Sequence, residues 1–384
     1  MLLETYIPLA ENVVNTGVWR CAATVKLNMK AARLYGKQDV RIDSDVTLGD
    51  VGPTDVRIDV EACGICGSDL HEYGDPEFTP AEEHPITGTS RPTVVGHEFS
   101  GVVSEVGEAV DRVAVGDRVA VHPNIPCHDC MYCDTGEYNR CLDTLAIGFQ
   151  TGTGGFAEST VVPEQQVHVL LDGIELWEGA LVEPLAVGLH AIRRSGMQAG
   201  DSVGVFGCGP IGLTAVQAAQ LAGAKEIFVS EPNDSRREIA RQVGADVAFD
   251  PMEDDVATTV TDAADGGVEA AFEFAGIGPA FNAAVQSTRH GGTITVGSIS
   301  DGEISTDLDD VVTTERTIKG THCYGFPPTS FRSEFDTVIE ALADGKFDTE
   351  AFVTDRIPLA DIVSDGYERL MNPETEHAKI LVKP

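Results

Sequence analysis

Lysine is scarce in this 384-residue chain, and positive charge is scarce altogether. Only Lys26, Lys30, Lys37, Lys225, Lys319, Lys346, Lys379 and Lys383 occur; with arginine they make 26 basic residues against 62 acidic ones, a net charge of −36. So negative a surface repels nucleic-acid phosphates and anionic membranes, and neither is expected as a partner. Long apolar runs are also missing: none approaches the roughly 20 residues that a membrane helix needs. Residues 1–28 hold no basic region ahead of a long apolar core, and Glu4 and Glu11 fall early, so they do not read as a secretory signal. A strand-like start, "MKAARLYG", comes only at Met29, and 1–28 are expected to be a poorly ordered extension. Without a sign of export, a reducing cytoplasm is expected, where clustered cysteines bind metal more often than they form disulfides.

What is present reads as globular: 42% hydrophobic residues, 40 glycines, and length for two domains of ordinary size. The acidity runs along the whole chain and forms no separate tail. Acid-rich, lysine-poor composition of this kind resembles proteins of salt-in halophilic archaea. A Debye length of about 3 Å at 1 M salt would suppress the self-repulsion of such a surface.

Four of the nine cysteines fall in "CHDCMYCDTGEYNRC" as Cys127, Cys130, Cys133 and Cys141. Four thiolates from one short loop can close a tetrahedral zinc shell and leave no position for substrate. That is a structural site, so any catalytic metal belongs elsewhere. Upstream, "EACGICGSDLHEY" and "VVGHEFSG" hold Cys66, His97 and Glu98, and "GALVEPLAVGLHA" places Glu183 in an apolar run. A carboxylate buried there needs a partner. Three protein ligands and a water make the open, catalytic zinc pattern. The bland reading of each residue is a core cysteine, a core histidine or an acid at a helix start; the next motif weakens it. Cys63 and Cys208 read as small buried residues, and His84, His122 and His190 as structural or surface histidines.

"DSVGVFGCGPIGLTAVQAAQLAGAKEIFVSEPN" carries that motif. A β-rich run, Ser202 to Phe206, meets Gly207, Gly209 and Gly212 in G-x-G-x-x-G spacing, with Pro210 and Ile211 between the last two. A helical pattern follows from Leu213 to Ala222, then a second strand from Glu226 to Ser230, then Glu231. Glu231 lies 19 residues past Gly212, close to the ~20 expected of the acid that grips ribose hydroxyls. Its charge would repel a 2′-phosphate, which favours NAD over NADP; Arg236 and Arg237 are the nearby cations, otherwise a solvated helix face. Further β-like runs at 270–276 and 291–298 continue a parallel, doubly wound sheet, and near Tyr324 the pattern changes.

From Met29 onward these segments resemble the zinc-containing medium-chain alcohol dehydrogenase family, with "CGICGSDLHEY", "GHEFSG", "GDRV", "GGFAE", "GALVEPLAVGLHA", "VFGCGPIGL" and "ERTIKG" in family order. The resemblance implies an α/β protein: a GroES-like catalytic domain (29–182 and 325–384) interrupted by a Rossmann NAD-binding domain (183–324), with the active site between them. Within the family, "CGSDLHEY", "HPITG" and "VFGCGPIG" look like 2,3-butanediol dehydrogenases, while sorbitol and threonine dehydrogenases share most motifs. Carried over residue by residue, the likeness makes Cys66, His97 and Glu183 catalytic zinc ligands and Glu98 a residue that binds zinc or stands just outside. It makes Ser68 and His71 the proton relay and Asp69 a residue behind the ligands. It implies two zinc ions and NAD per chain, a small alcohol or ketone substrate such as butane-2,3-diol or acetoin, and a homo-oligomer, dimer or tetramer. A polyol, sugar or threonine dehydrogenase is the alternative in class; a dinucleotide-binding protein that has lost catalysis is the alternative outside it.

Overall fold

The computed structural model describes residues 28–300, 302–325 and 332–384. The expectation for residues 1–28 lies, but for Asn28, outside them. Two β-systems dominate. The first is a seven-stranded, mostly antiparallel sheet in the order Val167–Val169, Arg118–Val121, Glu98–Val106, Asp55–Gly64, Lys379–Lys383, Val353–Pro358, with Ser159–Pro163 also paired to Asp55–Gly64. Alternation sets its register. In Asp55–Gly64, Val56, Ile58, Val60 and Ala62 all face inward, as a strand with one buried face requires. The C-terminal strand Lys379–Lys383 joins it by pairing Leu381 with Gly64 and Val382 with Cys63.

The second system is a six-stranded sheet whose strands all run parallel: Val247–Phe249, Glu226–Ser230, Ser202–Phe206, Val268–Glu273, Thr288–Val296, Thr317–Gly320. Counted in chain order that is 3-2-1-4-5-6, the doubly wound order whose crevice opens between its first and fourth strands. Ser202–Phe206 is buried at every position, because helices cover both faces of such a sheet. The order reverses directly beyond it, at Gly207. Its φ is +91°, and a Cβ there would lie 2.8 Å from the Ala275 backbone nitrogen. Only glycine fits.

Helix Val182–Ser195 joins the two systems. It ends at Gly196 in the left-handed region, an ordinary stop signal. Its buried face shares one apolar core with Ala62 and Ala120 of the first sheet and Val203 and Val205 of the second. The first residues of this helix therefore stand where both halves meet. Among the described residues no helix is long and apolar enough to cross a membrane.

Candidate active site and metal centres

The helix Gly67–Gly74 begins on Cys66, whose N–H donates to Asp69 Oδ2 at 2.9 Å. That bond fixes the helix start and turns the other Asp69 oxygen toward His97, with Oδ1 3.5 Å from Nδ1. The opposite ring nitrogen, Nε2, faces the Ser68 hydroxyl at 3.3 Å. Cys66, His97 and Glu98 present their ligand atoms within 4.8 Å of one another. A carboxylate behind the far nitrogen of a ligating imidazole orients the ring and makes it a better donor. Burial alone would lower the His97 pKa, but Asp69 and then Cys66 raise it well above the usual value. A ring under that negative field attracts a cation at Nε2 in place of the proton.

Glu98 is fully buried. Its Oε2 is paired with Lys379 Nζ at 2.5 Å, and the same ammonium donates to the Ile65 carbonyl at 2.9 Å. Its Oε1 has no hydrogen-bond partner. An orphaned, buried carboxylate oxygen beside a thiol and an imidazole is the donor set of a divalent metal. Glu183, in the first turn of Val182–Ser195, is 7% exposed and lies outside that tight group. Burial raises its pKa to about 7, and the charge of His97 acts against the rise. The Tyr324 hydroxyl lies against the Glu183 carboxyl without a partner at hydrogen-bonding geometry. His71 stands further out, half exposed, with Nε2 3.7 Å from Glu77.

Several residues at this site carry no sequence signal. The Phe149 ring packs 4.9 Å from His97 and 5.9 Å from Phe78, giving the pocket an apolar wall. Glu72, 1% exposed, accepts the N–H groups of Glu77, Phe78 and Thr79 and so shapes the loop bearing Phe78. Burial pushes the Cys323 thiol up to about 12, with Glu183 adding to the rise. Lys379 alone had a clue: of the two lysines in "HAKILVKP" it is the one that opens the apolar run Ile380–Val382, and it is buried with that run whereas Lys383 is exposed.

The four-cysteine lobe is built differently. All four sulfurs lie within 4.8 Å of one another, and two measured edges are 3.9 Å (Cys127–Cys133) and 3.6 Å (Cys130–Cys133). A tetrahedron with Zn–S bonds of about 2.3 Å has edges of about 3.8 Å. The cysteines are free thiols, and the geometry fits zinc. Backbone N–H groups of Leu142 and Cys133 lower the Cys130 thiol to about 6, whereas burial pushes Cys141 up to about 12.

At the nucleotide turn, helix Pro210–Leu221 starts from Gly209 with proline at its first position. A Cβ on Gly212 would strike the Gly207 carbonyl at 2.0 Å, whereas one on Gly209 would meet nothing within 4 Å. The open space at Gly209, before the helix N–H groups of Ile211 and Gly212, is a cradle for a pyrophosphate. Glu231 closes it: Oε2 accepts the Cys208 N–H at 2.7 Å and Oε1 the Asn233 N–H at 3.0 Å. Arg237 is engaged with Asp250 at 3.3 Å and with the Glu231 carbonyl. The Arg236 Nε has no partner.

The comparisons agree with this geometry. Residues 52–172 match the alcohol dehydrogenase GroES-like domain and residues 210–344 the zinc-binding dehydrogenase domain. An (R,R)-butanediol dehydrogenase of Bacillus subtilis (strain 168) is 39% identical over 358 residues, 93% of this chain and 100% of that protein. A crystal structure of 2R,3R-butanediol dehydrogenase from Bacillus subtilis superimposes with a TM-score of 0.85, covering 93% of this chain and 99% of that one at 39% identity. A putative zinc-binding dehydrogenase from Sinorhizobium meliloti 1021, bound to NADP, superimposes at 0.82 with 32% identity and the same coverage.

Proposed function

We propose, on the premise that this chain belongs to the zinc-binding alcohol dehydrogenase family, that its substrates are butane-2,3-diol and acetoin and that NAD is the preferred dinucleotide. The observation that carries the reading is the site itself: Cys66, His97 and Glu98 gathered beside Ser68 under an apolar wall. A zinc ion on Cys66, His97 and Glu98, with Glu183 at the edge of the group, would supply Lewis-acid polarisation of the alcohol oxygen, and the dinucleotide the hydride acceptor. The chain's residues do the rest. Ser68 accepts the hydroxyl proton, and His71, placed toward solvent, passes it out. Phe149 and Phe78 exclude water, and Asp69 holds His97 in the tautomer that leaves Nε2 free. Glu98 offers Oε1 to the metal while Lys379 holds its other oxygen. Glu231 sits where the adenosine ribose would bind and disfavours a 2′-phosphate, with Arg237 already engaged.

We assign 29–182 and 325–384 to the catalytic domain and 183–324 to the dinucleotide domain, and expect a cytoplasmic dimer or tetramer suited to high salt. The test is kinetics on vicinal diols, acetoin, polyols and L-threonine, with NAD and NADP, at molar salt. The highest kcat/KM should fall on butane-2,3-diol with NAD. A polyol, threonine or NADP in that place rejects the corresponding assignment. A melting temperature that stays flat from dilute buffer to molar salt rejects the halophile reading.

A further inference from the structure

Two turns of helix separate Glu183 from His190, so their side chains leave the same face. His190 joins a buried polar chain. Its Nε2 stands 3.4 Å from Nδ2 of Asn139, which lies in the four-cysteine lobe between Cys133 and Cys141. Its Nδ1 stands 3.4 Å from Oε1 of Glu334, a side chain only 1% exposed. Arg193 donates to that same oxygen at 3.0 Å, and the Gly325 N–H donates to Oε2 at 3.0 Å. The lobe also reaches Gly325 directly: a Cβ there would stand 3.0 Å from Asn139 Oδ1. The preceding residue, Tyr324, is held edge-on by the rings of His122 and Phe335 at 4.7 and 4.9 Å, and its hydroxyl lies against Glu183.

We propose that Asn139 and Glu334 are positioning residues that couple the four-cysteine lobe to the catalytic centre through Gly325 and the Tyr324 ring against Glu183. A buried carboxylate shared among an imidazole, a guanidinium and a backbone N–H tolerates little displacement, because each lost partner leaves a desolvated polar group. Movement of the lobe at Asn139 therefore moves His190 or Gly325, and Gly325 carries Tyr324. The lobe then does more than hold itself together. It sets where Glu183 stands relative to Cys66 and His97. The proposal rests on reading that cluster as the catalytic metal site.

The experiment is a double-mutant cycle of Asn139→Ala and Tyr324→Phe in the full chain. It is read in kcat/KM per folded molecule and in the visible spectrum after cobalt(II) replaces zinc; Cys66→Ser identifies the bands of the catalytic site. Each single change should lower kcat/KM by about 2- to 30-fold, the range for residues along a coupling network. The double variant should lose less than the product of the two, and Asn139→Ala should shift the catalytic-site bands although it touches no ligand there. Losses that multiply, or unshifted bands, overturn the proposal. Should Asn139→Ala fail to fold, Glu334→Gln replaces it with the same two readings. It keeps an acceptor for the Gly325 N–H and removes the charge facing His190 and Arg193. A wild-type protein without Cys66-dependent cobalt bands overturns the catalytic-site reading itself, before any coupling variant is made.

Discussion

The two metal-binding clusters of this chain are assembled on opposite plans. The lobe takes four sulfurs from residues 127–141, and its ligands are neighbours in sequence before they are neighbours in space. The other cluster draws Cys66 from a helix start and His97 and Glu98 from the start of an inner strand of the first sheet, with Glu183 nearby on a helix 85 residues beyond Glu98. Closing a short loop around a metal needs little from the rest of the fold, and such a site contributes its binding energy directly to folding. Bringing together residues 31 and 85 positions apart needs two packed sheets first. The lobe should therefore depend on its metal for structure. The catalytic cluster should be held in place by the fold, with the metal serving chemistry.

Paired cysteine substitutions test that contrast most strongly. Cys66→Ser should cut turnover by about 10³-fold or more, since several kcal/mol of charge stabilisation is lost, and should leave one zinc ion per chain and a nearly unchanged melting temperature. Cys133→Ser should instead lower the melting temperature by about 10 °C, a loss of a few kcal/mol in a domain of this size. Calorimetry and elemental analysis of the two variants give the answer. Equal effects on melting would erase the distinction.

Ser68→Ala sharpens it within the catalytic cluster. Alcohol oxidation should slow by about 10²–10⁴-fold, the worth of one acid–base step, with zinc content and dinucleotide binding intact. Wild-type turnover in this variant would make the hydroxyl merely structural.

Lys379→Met probes what holds the cluster before any metal arrives. Removing the ammonium leaves the fully buried Glu98 charge uncompensated. The expected loss is about 3–5 kcal/mol in denaturant unfolding, and adding Glu98→Gln should restore much of it. Lys379→Met unfolding at the wild-type midpoint would show the pair contributes nothing.

The smallest effect concerns pH and the wall behind Tyr324. Burial, and then the neighbouring His168, lower the His122 pKa from 6.5 to about 3. A depressed histidine is neutral in the fold and protonated when unfolded between those values. Its contribution is thus fully present above about pH 6.5 and is lost as pH falls toward 3. From pH 7 to 5 the wild type should lose about 2 kcal/mol more stability than His122→Gln. Parallel unfolding curves for both proteins across that range would refute the shift.

The nucleotide half was the more legible part of the fold. Ser202–Phe206 and Glu226–Ser230 form as strands over the residues read from pattern alone, because glycine spacing and apolar runs are local properties of a chain. The gathering of Cys66, His97 and Glu98 was likewise visible in residue types known to ligate metal. Phe149, Tyr324 and Glu334 were not. An aromatic side chain in a loop, or an acid at a helix start, looks the same whether it lines a site or only a surface. The difference lies in what packs against it from a hundred or more residues away.

By itself, the sequence determined the chemistry on offer: which thiols, imidazoles and carboxylates exist, the four-sulfur spacing, the glycine turn and the negative charge. These follow from composition and short-range geometry, which reach no further than a loop or one strand–helix unit. Tertiary structure alone decided that Lys379 reaches from the last strand to take one oxygen of Glu98, that Glu183 stands just outside the tight cluster, and that Asn139 of the lobe meets the helix carrying Glu183. Those outcomes depend on packing between elements far apart in the chain, where burial and the cost of unpaired charge select one arrangement among many that the sequence permits.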